Sequence, residues 1–296
     1  MMQESLCMKS RPRKQIKVGR IIAYVILILL AVTFIFPYVW LLFSSFKTPE
    51  AIFSKDFSLF PLDANGNLAF SVQNYADALT YLNLGQVMLN TLIVCVINTV
   101  VNLFLNALAG YALARVEFKG KKPLFAIVLA AMMVPGTIMT IPNLIICDVL
   151  GILDTLPVLI FPFIMSIYNV FLMKQQFASL SKDLEEAAIM DGAGPFKIFF
   201  TIGLPMVSPM LVVLGITTFM WNYNNFMWTI LAIPSNQDAW TLARSLGDLV
   251  SAGNGNPNVY PAMLAGSVIT SLPLIVIFFF LQRYILEGIS LGGVKE

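Results

Sequence analysis

Long apolar runs, each near the length needed to cross a bilayer, constrain this 296-residue chain more than any other feature. They extend from Ile21 to about Phe43, Val87 to Ala114, Leu124 to Ile146, Leu156 to Met173, Gly203 to Ile233 and Ala262 to Leu281. A hydrocarbon core ~30 Å thick takes ~20 residues of α-helix. Lipid offers no hydrogen-bond partner to an irregular segment or an open sheet edge, and the runs lack the strict alternation of barrel strands. The expectation is an all-α polytopic membrane protein with six transmembrane helices. The first run is long for a signal-peptide core and lacks a small-residue cleavage site, so it reads as an uncleaved span. Only 11% of the residues are charged, against about a quarter in soluble domains, which excludes a soluble fold.

Charge sets the orientation. Lys9, Arg11, Arg13, Lys14, Lys17 and Arg20 precede the first span, and Arg115, Lys119, Lys121 and Lys122 follow the second. Lys174, Lys182 and Lys197 follow the fourth span, and Arg283 and Lys295 follow the sixth. The opposite side has only Lys47, Lys55 and Arg244. Positive charge stays in the cytoplasm, so both termini and the loop at 174–202 are expected there. Because the cations cluster beside apolar spans, the net charge of +2 points to no nucleic-acid partner.

Between the fourth and fifth spans lies the longest stretch rich in polar and turn residues, Leu184 to Pro205. Ser181 is a candidate helix cap, Asp183, Glu185 and Glu186 load the first turns with negative charge, and Gly192 is a stop signal. A helix of about ten residues, ~15 Å long, follows. Gly194-Pro195 then turns the chain into a second short helix. Leu184, Ala187, Ala188, Ile189 and Met190 give the first helix an apolar, small-residue side that a neighbouring protein can approach closely.

The spacing of this stretch is specific. Glu186-Ala187-Ala188, three residues, Gly192, nine residues, then Ile202-x-Leu204-Pro205 resembles the signature of permease subunits of binding-protein-dependent ABC importers. Met88-Leu89-Asn90-Thr91, Ala109-Gly110-Tyr111-Ala112-Leu113-Ala114-Arg115, Gly151-Ile152-Leu153-Asp154-Thr155 and Trp221-Asn222 resemble segments of the sugar-importer permeases. The tail Gly288-Ile289-Ser290-Leu291-Gly292-Gly293-Val294-Lys295 is similar to that of the smaller maltose-transporter permease. Ser181 stands where many relatives have proline, Thr91 where many have serine, and Asn224-Asn225 departs from the common Trp-Asn-x-Phe pattern.

The resemblance implies a type I ABC importer permease fold, multi-pass in the cytoplasmic (inner) membrane of a prokaryote. Glu185, Glu186, Ala187, Ala188, Asp191, Gly192, Leu204 and Pro205 would couple to the ATPase, and Gly292, Gly293 and Lys295 would reach the ATPase from the tail. The implied partners are a second permease subunit, two ABC ATPase subunits and an extracytoplasmic solute-binding protein. This chain itself would bind no cofactor and catalyse nothing, ATP and Mg being used by the ATPase subunits. The implied domains are a basic tail (1–20), a first span with its outer loop (21–86), a five-helix core (87–284) carrying the coupling loop (177–202), and a cytoplasmic tail (285–296).

Two groups inside the spans attract attention. Asn98, Asn102 and Asn106 recur every four residues, with Gly110 continuing the line, and so share one helical face. Interhelical hydrogen bonding with close packing is the favoured reading, and a pathway lining the sharper one. Trp221, Asn222, Tyr223, Asn224, Asn225, Phe226 and Trp228 cluster in the fifth span. Amides and aromatic faces suit sugars, and Tyr168 and Asn169 of the fourth span would add a second wall. An aromatic interface belt explains the same residues. The candidate substrate path is therefore Tyr168, Asn169, Trp221, Asn222 and Asn225.

Other classes fare worse. There is no histidine, Cys7, Cys95 and Cys147 have no paired spacing, and no phosphate-binding GxxxxGK[ST] occurs. No charged residue lies deep in a span, whereas ion-coupled carriers need one. This argues for energy supplied from outside the chain and for a substrate that is neutral or screened by water. A related permease for another small polar solute, and less readily an autonomous carrier or a membrane enzyme, are the alternatives.

Overall fold

The computed structural model describes residues 18–54, 58–62, 66–253 and 256–292. Residues 1–17 of the N-terminal tail, and Gly293 and Lys295 of the other tail, lie outside the described residues. Helices dominate: α1 (Val18–Ser44), α2 (Pro49–Ile52), α3 (Gln73–Leu82), α4 (Leu84–Arg115), α5 (Lys121–Met132), α6 (Thr140–Val149) and α7 (Ile167–Ser179). They continue with α8 (Asp183–Met190), α9 (Pro195–Ile198), α10 (Leu204–Met206), α11 (Ser208–Tyr223), α12 (Phe226–Ala232), α13 (Leu242–Gly253) and α14 (Tyr260–Gly292). Among the described residues the nearest thing to a strand is one antiparallel bridge between Leu62 and Leu68.

Among the described residues three helices are individually long and apolar enough to cross a membrane: α1, α4 and the Tyr260–Phe280 part of α14. Two further candidates are bent pairs. The 3-10 turns of Leu156–Phe163 join α7 at 43°, and Pro195–Met206 joins α11 at 77°. The expected continuous third run is not one helix, because Pro135-Gly136 falls between α5 and α6. The expected fifth run is likewise broken at Asn224-Asn225, between α11 and α12. Proline alone does not predict the breaks: Pro37 and Pro273 sit inside unbroken α1 and α14. At the 156–166 break the freed carbonyls of Ile160 and Phe163 find side-chain donors on α4.

The core is built around α4, which packs on α7 and α11. Its asparagine face is wholly buried. Asn98 Nδ2 donates to the Ile160 carbonyl at 3.2 Å, and Asn102 Nδ2 to the Phe163 carbonyl at 2.9 Å. Asn106 Oδ1 accepts from the Ser166 N–H at 3.1 Å. The three side chains thus replace the helical partners that the 156–166 break removes. One turn further, a Cβ on Gly110 would lie 2.6 Å from Met173 Cβ and 2.8 Å from the Lys174 nitrogen. Only glycine permits that approach. Packing, the favoured reading of this face, accounts for Asn106 and Gly110; Asn98 and Asn102 also reach a cleft described below.

The α3–α4 corner depends on Asn83 at φ 47°, a left-handed conformation that asparagine tolerates. Near the start of α4, Asn90 Nδ2 donates to the carbonyls of Asp238 (2.7 Å) and Trp240 (2.8 Å), and Thr91 Oγ1 accepts from the Leu242 N–H at 2.8 Å. Asp154, itself at φ 60°, accepts from the N–H groups of Ser235 and Asn236 at 3.1 and 2.9 Å. The loops at this end are therefore closed by specific side chains. Lys47 is buried there too, donating to the Ser58 carbonyl, and burial lowers its pKa. The first helix differs from the rest: α1 meets α14 only near its C-terminal end, where Tyr38 Oη and Ser271 Oγ are 2.9 Å apart, and its apolar length from Ile21 to Phe36 is exposed.

Gly110→Ala is expected to lower the melting temperature of the purified protein, since overpacking costs about 1–3 kcal/mol. Gly85→Ala, where a Cβ meets nothing within 4 Å, serves as the control and should leave it unchanged.

Candidate functional site

The loop after α7 folds as a helix, a turn and a second helix. The first, α8, has eight residues rather than ten. Lys182 already has helical dihedrals, which leaves Ser181 before it at the cap. Its hydroxyl accepts from the Asp183 N–H at 3.2 Å, the bond of a helix cap, and hydrogen-bonds Asp183 Oδ2 at 2.8 Å. The stop at Gly192 holds: φ is +77°, and its N–H and that of Ala193 bond back to Ile189 and Ala188. Pro195 opens α9 as expected.

This unit has an inner and an outer side. On the inner side Ala188 and Ala193 pack against the cluster of Tyr111, Met173, Phe177, Ile198 and Phe199. Glu185 turns inward as well, and its carboxylate lies 3.4 Å from Arg115 Nε, with both side chains largely buried (13% and 5% exposed). The contact is an ion pair rather than an aligned hydrogen bond, since Nε has no hydrogen-bond partner. The Arg115 guanidinium also donates to the Leu180 carbonyl at 2.6 Å. One arginine at the end of α4 thereby holds both the entry to the loop and its first helix.

The outer side is apolar and acidic together. Met190 is 87% exposed, Phe196 70%, and Leu184 and Ile189 more than half. Glu186, Ala187, Asp191 and Gly192 are exposed beside them. Among the described residues Glu186 has no side-chain partner, unlike Glu185. The expected apolar side of α8 is therefore split, with Ala188 turned into this chain and the rest presented outward.

Beyond α9 the chain makes a π-helical turn, Phe199–Gly203, before α10. Leu204 packs against the inner cluster while Pro205 is exposed. The 77° bend at Val207 then turns the chain into α11. Gly292 closes α14.

A second feature lies between α4, α7 and α11. A cleft of 710 Å³ is lined by, among others, Asn98, Asn102, Phe163, Tyr168, Asn169 and Trp221. Trp221 and Tyr168 are about half exposed. Trp221 is steadied by the edge of Phe163, 4.8 Å between centroids. Asn102 Oδ1 accepts from Asn106 at 2.6 Å and Asn169 at 3.0 Å, and Asn169 also donates to Thr218 Oγ1 at 3.3 Å. Asn98 Oδ1, by contrast, is buried and without a partner.

The structure thus joins Tyr168, Asn169 and Trp221 with Asn98 and Asn102, but leaves Asn222 and Asn225 outside the cleft lining. Asn222 is buried, donating to the Thr218 carbonyl at 2.8 Å, and Asn225 sits at the break before α12 with its carbonyl accepting from Thr229. Trp228 is a core residue whose indole donates to the Val158 carbonyl at 3.0 Å. Thr217 and Thr218, about one turn before Trp221, also line the cleft, and nothing in their local sequence sets them apart from other threonines of an apolar helix.

Long apolar helices, broken helices around a polar cleft, and an exposed helical loop together define a multi-pass membrane transport subunit. The chain belongs to the family of binding-protein-dependent transport system inner membrane components, which matches residues 106–290. Its relatives include the arabinooligosaccharides transport system permease protein AraQ of Bacillus subtilis, 33% identical over 96% of this chain and 99% of that protein. Also similar are the probable ABC transporter permease protein YurM of B. subtilis (31%, 97% and 92%) and the diacetylchitobiose uptake system permease protein NgcG of Streptomyces coelicolor (32%, 93% and 88%). The fold matches a chain in the crystal structure of a bacterial ABC transporter involved in the import of the acidic polysaccharide alginate. The TM-score is 0.77 at 21% identity, covering 90% of this chain and 96% of the other.

Arg115→Met removes the charge opposite a largely buried carboxylate, a change that costs about 3–5 kcal/mol when the partner stays ionised. Hydrogen exchange across residues 181–193 should accelerate in this variant. Glu186→Gln should leave the exchange as it is, and equal acceleration in both would count against the internal latch.

Proposed function

We propose that this chain is one of two permease subunits of an ATP-driven importer and forms half of the path for a sugar or oligosaccharide. The observation that carries the reading is the division of the 183–198 unit. Glu185 and Ala188 fix it to the bundle, while Glu186, Leu184, Met190 and Phe196 are presented to a partner. A rigid lever needs both attachments. An ATPase subunit closing on ATP and Mg would pull on Glu186, Ala187, Asp191 and Gly192 from outside. Arg115 and the 199–205 segment, with Leu204 and Pro205, would pass the displacement to α4 and α11.

In this reading the bent pairs and the α5–α6 region complete six spans. Both termini are cytoplasmic in the inner membrane of a prokaryote, as the distribution of Lys and Arg indicates. The proposed parts are the basic tail 1–20, the first span and outer loop 21–86, the core 87–284, and the tail 285–296. Gly292, Gly293 and Lys295 would extend to the ATPase. The subunit itself catalyses nothing and binds no nucleotide. A second permease, two ATPases and an extracytoplasmic binding protein complete the complex.

The sugar assignment draws on relatives named for arabinooligosaccharides and diacetylchitobiose and on the cleft. The Trp221 and Tyr168 rings provide apolar faces for C–H patches, and Asn169 an amide already oriented by Asn102. Among the described residues no charged side chain lines this cleft, which favours a neutral cargo.

Purification from native membranes in mild detergent should bring down an ATPase, a second permease and a binding protein. Recovery of the chain by itself would overturn the importer reading. In the assembled complex, Glu186→Lys should abolish uptake while leaving the chain in the membrane. Gly192→Ala should act through backbone strain alone, since its Cβ meets nothing within 4 Å at φ +77°. The left-handed conformation costs an ordinary residue about 1–2 kcal/mol, so uptake should fall while ATP hydrolysis persists. Trp221→Ala should lower uptake of sugar with little change in basal ATP hydrolysis, and unchanged uptake would remove Trp221 from the path.

A further inference from the structure

A groove of 520 Å³ lies beyond the end of α4, between the start of α5 and the side of α7. Leu113, Glu117, Lys121, Lys122, Phe125 and Lys174 are among its lining residues. Three lysines share it with one carboxylate. Glu117 is taken by Lys121, 3.0 Å away, and Lys121 Nζ also reaches the Ala114 carbonyl at 3.4 Å. Among the described residues neither Lys122 nor Lys174 has a carboxylate partner. Lys174 Nζ instead stands 4.5 Å over the Phe125 ring, which itself stacks on Phe171 at 6.4 Å. A ring face positions a cation without neutralising it. The groove therefore carries two uncompensated positive charges, one of them held in place.

Its surroundings define what those charges face. From the groove α5 runs off with Leu124, Ile127 and Leu129 exposed, and it packs chiefly on α7. A cationic recess at the polar end of an exposed apolar helix matches a molecule with an anionic head and hydrocarbon tails. Basic pockets between helices at a membrane surface hold acidic lipid headgroups, each lysine adding about 1 kcal/mol.

We propose that Lys121, Lys122 and Lys174 bind the phosphodiester headgroup of an anionic phospholipid, whose acyl chains lie along Leu124 and Ile127 of α5. The inference requires only that the Arg115 end of α4 lie at a lipid–water boundary. It does not require the ATPase or a sugar, so its failure and that of the importer reading are separable.

The test is native mass spectrometry of the full-length chain in mild detergent with phosphatidylglycerol, phosphatidylcholine or inorganic phosphate added. Phosphatidylglycerol should be retained in preference to phosphatidylcholine. Lys122→Gln and Lys174→Gln should each weaken its retention about fivefold, and the pair together roughly 30-fold. Lys122→Arg with Lys174→Arg should restore it, and Lys182→Gln, outside the groove, should not alter it. Should Lys174→Gln impair folding, Lys122→Gln still decides the matter, because Lys122 is exposed and makes no ion pair. Undiminished retention by the Lys122→Gln chain would overturn the proposal. So would displacement of the lipid by inorganic phosphate, which would make the groove a free-anion site.

Discussion

The structure depends on how a broken helix is kept hydrogen-bonded where water is scarce. Around Pro157 and Pro162 the chain leaves regular α-helix, and an unpartnered buried carbonyl costs about 1–3 kcal/mol in such surroundings. The asparagines of α4 answer this with primary amides, which donate and accept at once. Asn102 illustrates the economy: its nitrogen serves Phe163, and its oxygen serves both Asn106 and Asn169. The break can then persist as a defined bend of 43°, and the space it opens becomes part of a cleft.

The same helix connects this cleft to everything else of interest. Going down α4, Asn90 and Thr91 hold the 238–242 segment, Asn98 to Asn106 hold the break, Gly110 admits α7, and Arg115 holds Glu185 and Leu180. In the proposed mechanism, displacement of the 183–198 unit would pass to one element 32 residues long. On its other side, toward α5, the end of α4 borders a lysine-lined groove. The proposed coupling and lipid sites therefore lie close to the same helix terminus without sharing a side chain.

Much was legible in the residues alone. Apolar length implied membrane helices, because no other structure satisfies the backbone in lipid. The four-residue period of Asn98, Asn102, Asn106 and Gly110 placed them on one face, because helical geometry permits nothing else. Gly192 and Pro195 marked the turn correctly, since each acts through its own backbone. Ser181 was legible as a cap for an equally local reason, its hydroxyl accepting from the Asp183 N–H. Asn222 and Asn225 read as path residues by composition, but Asn222 is turned into the interior and Asn225 falls at the break before α12.

By itself, the sequence determined the helical class, the apolar lengths, the polar stripe along α4 and the identity of the exposed loop, all of which follow from period, composition and backbone chemistry. Only the tertiary structure decided that Glu185 rather than Glu186 meets Arg115, that Asn98 is left with an unpartnered oxygen, and that Tyr168 and Trp221 face one cleft. It likewise decided which long runs bend. Adjacent glutamates have the same charge and propensity, and what separates them is the 100° of helix rotation between consecutive side chains. Which of the two is buried depends on where α4 ends, some seventy residues earlier in the chain, and no local pattern carries that distance.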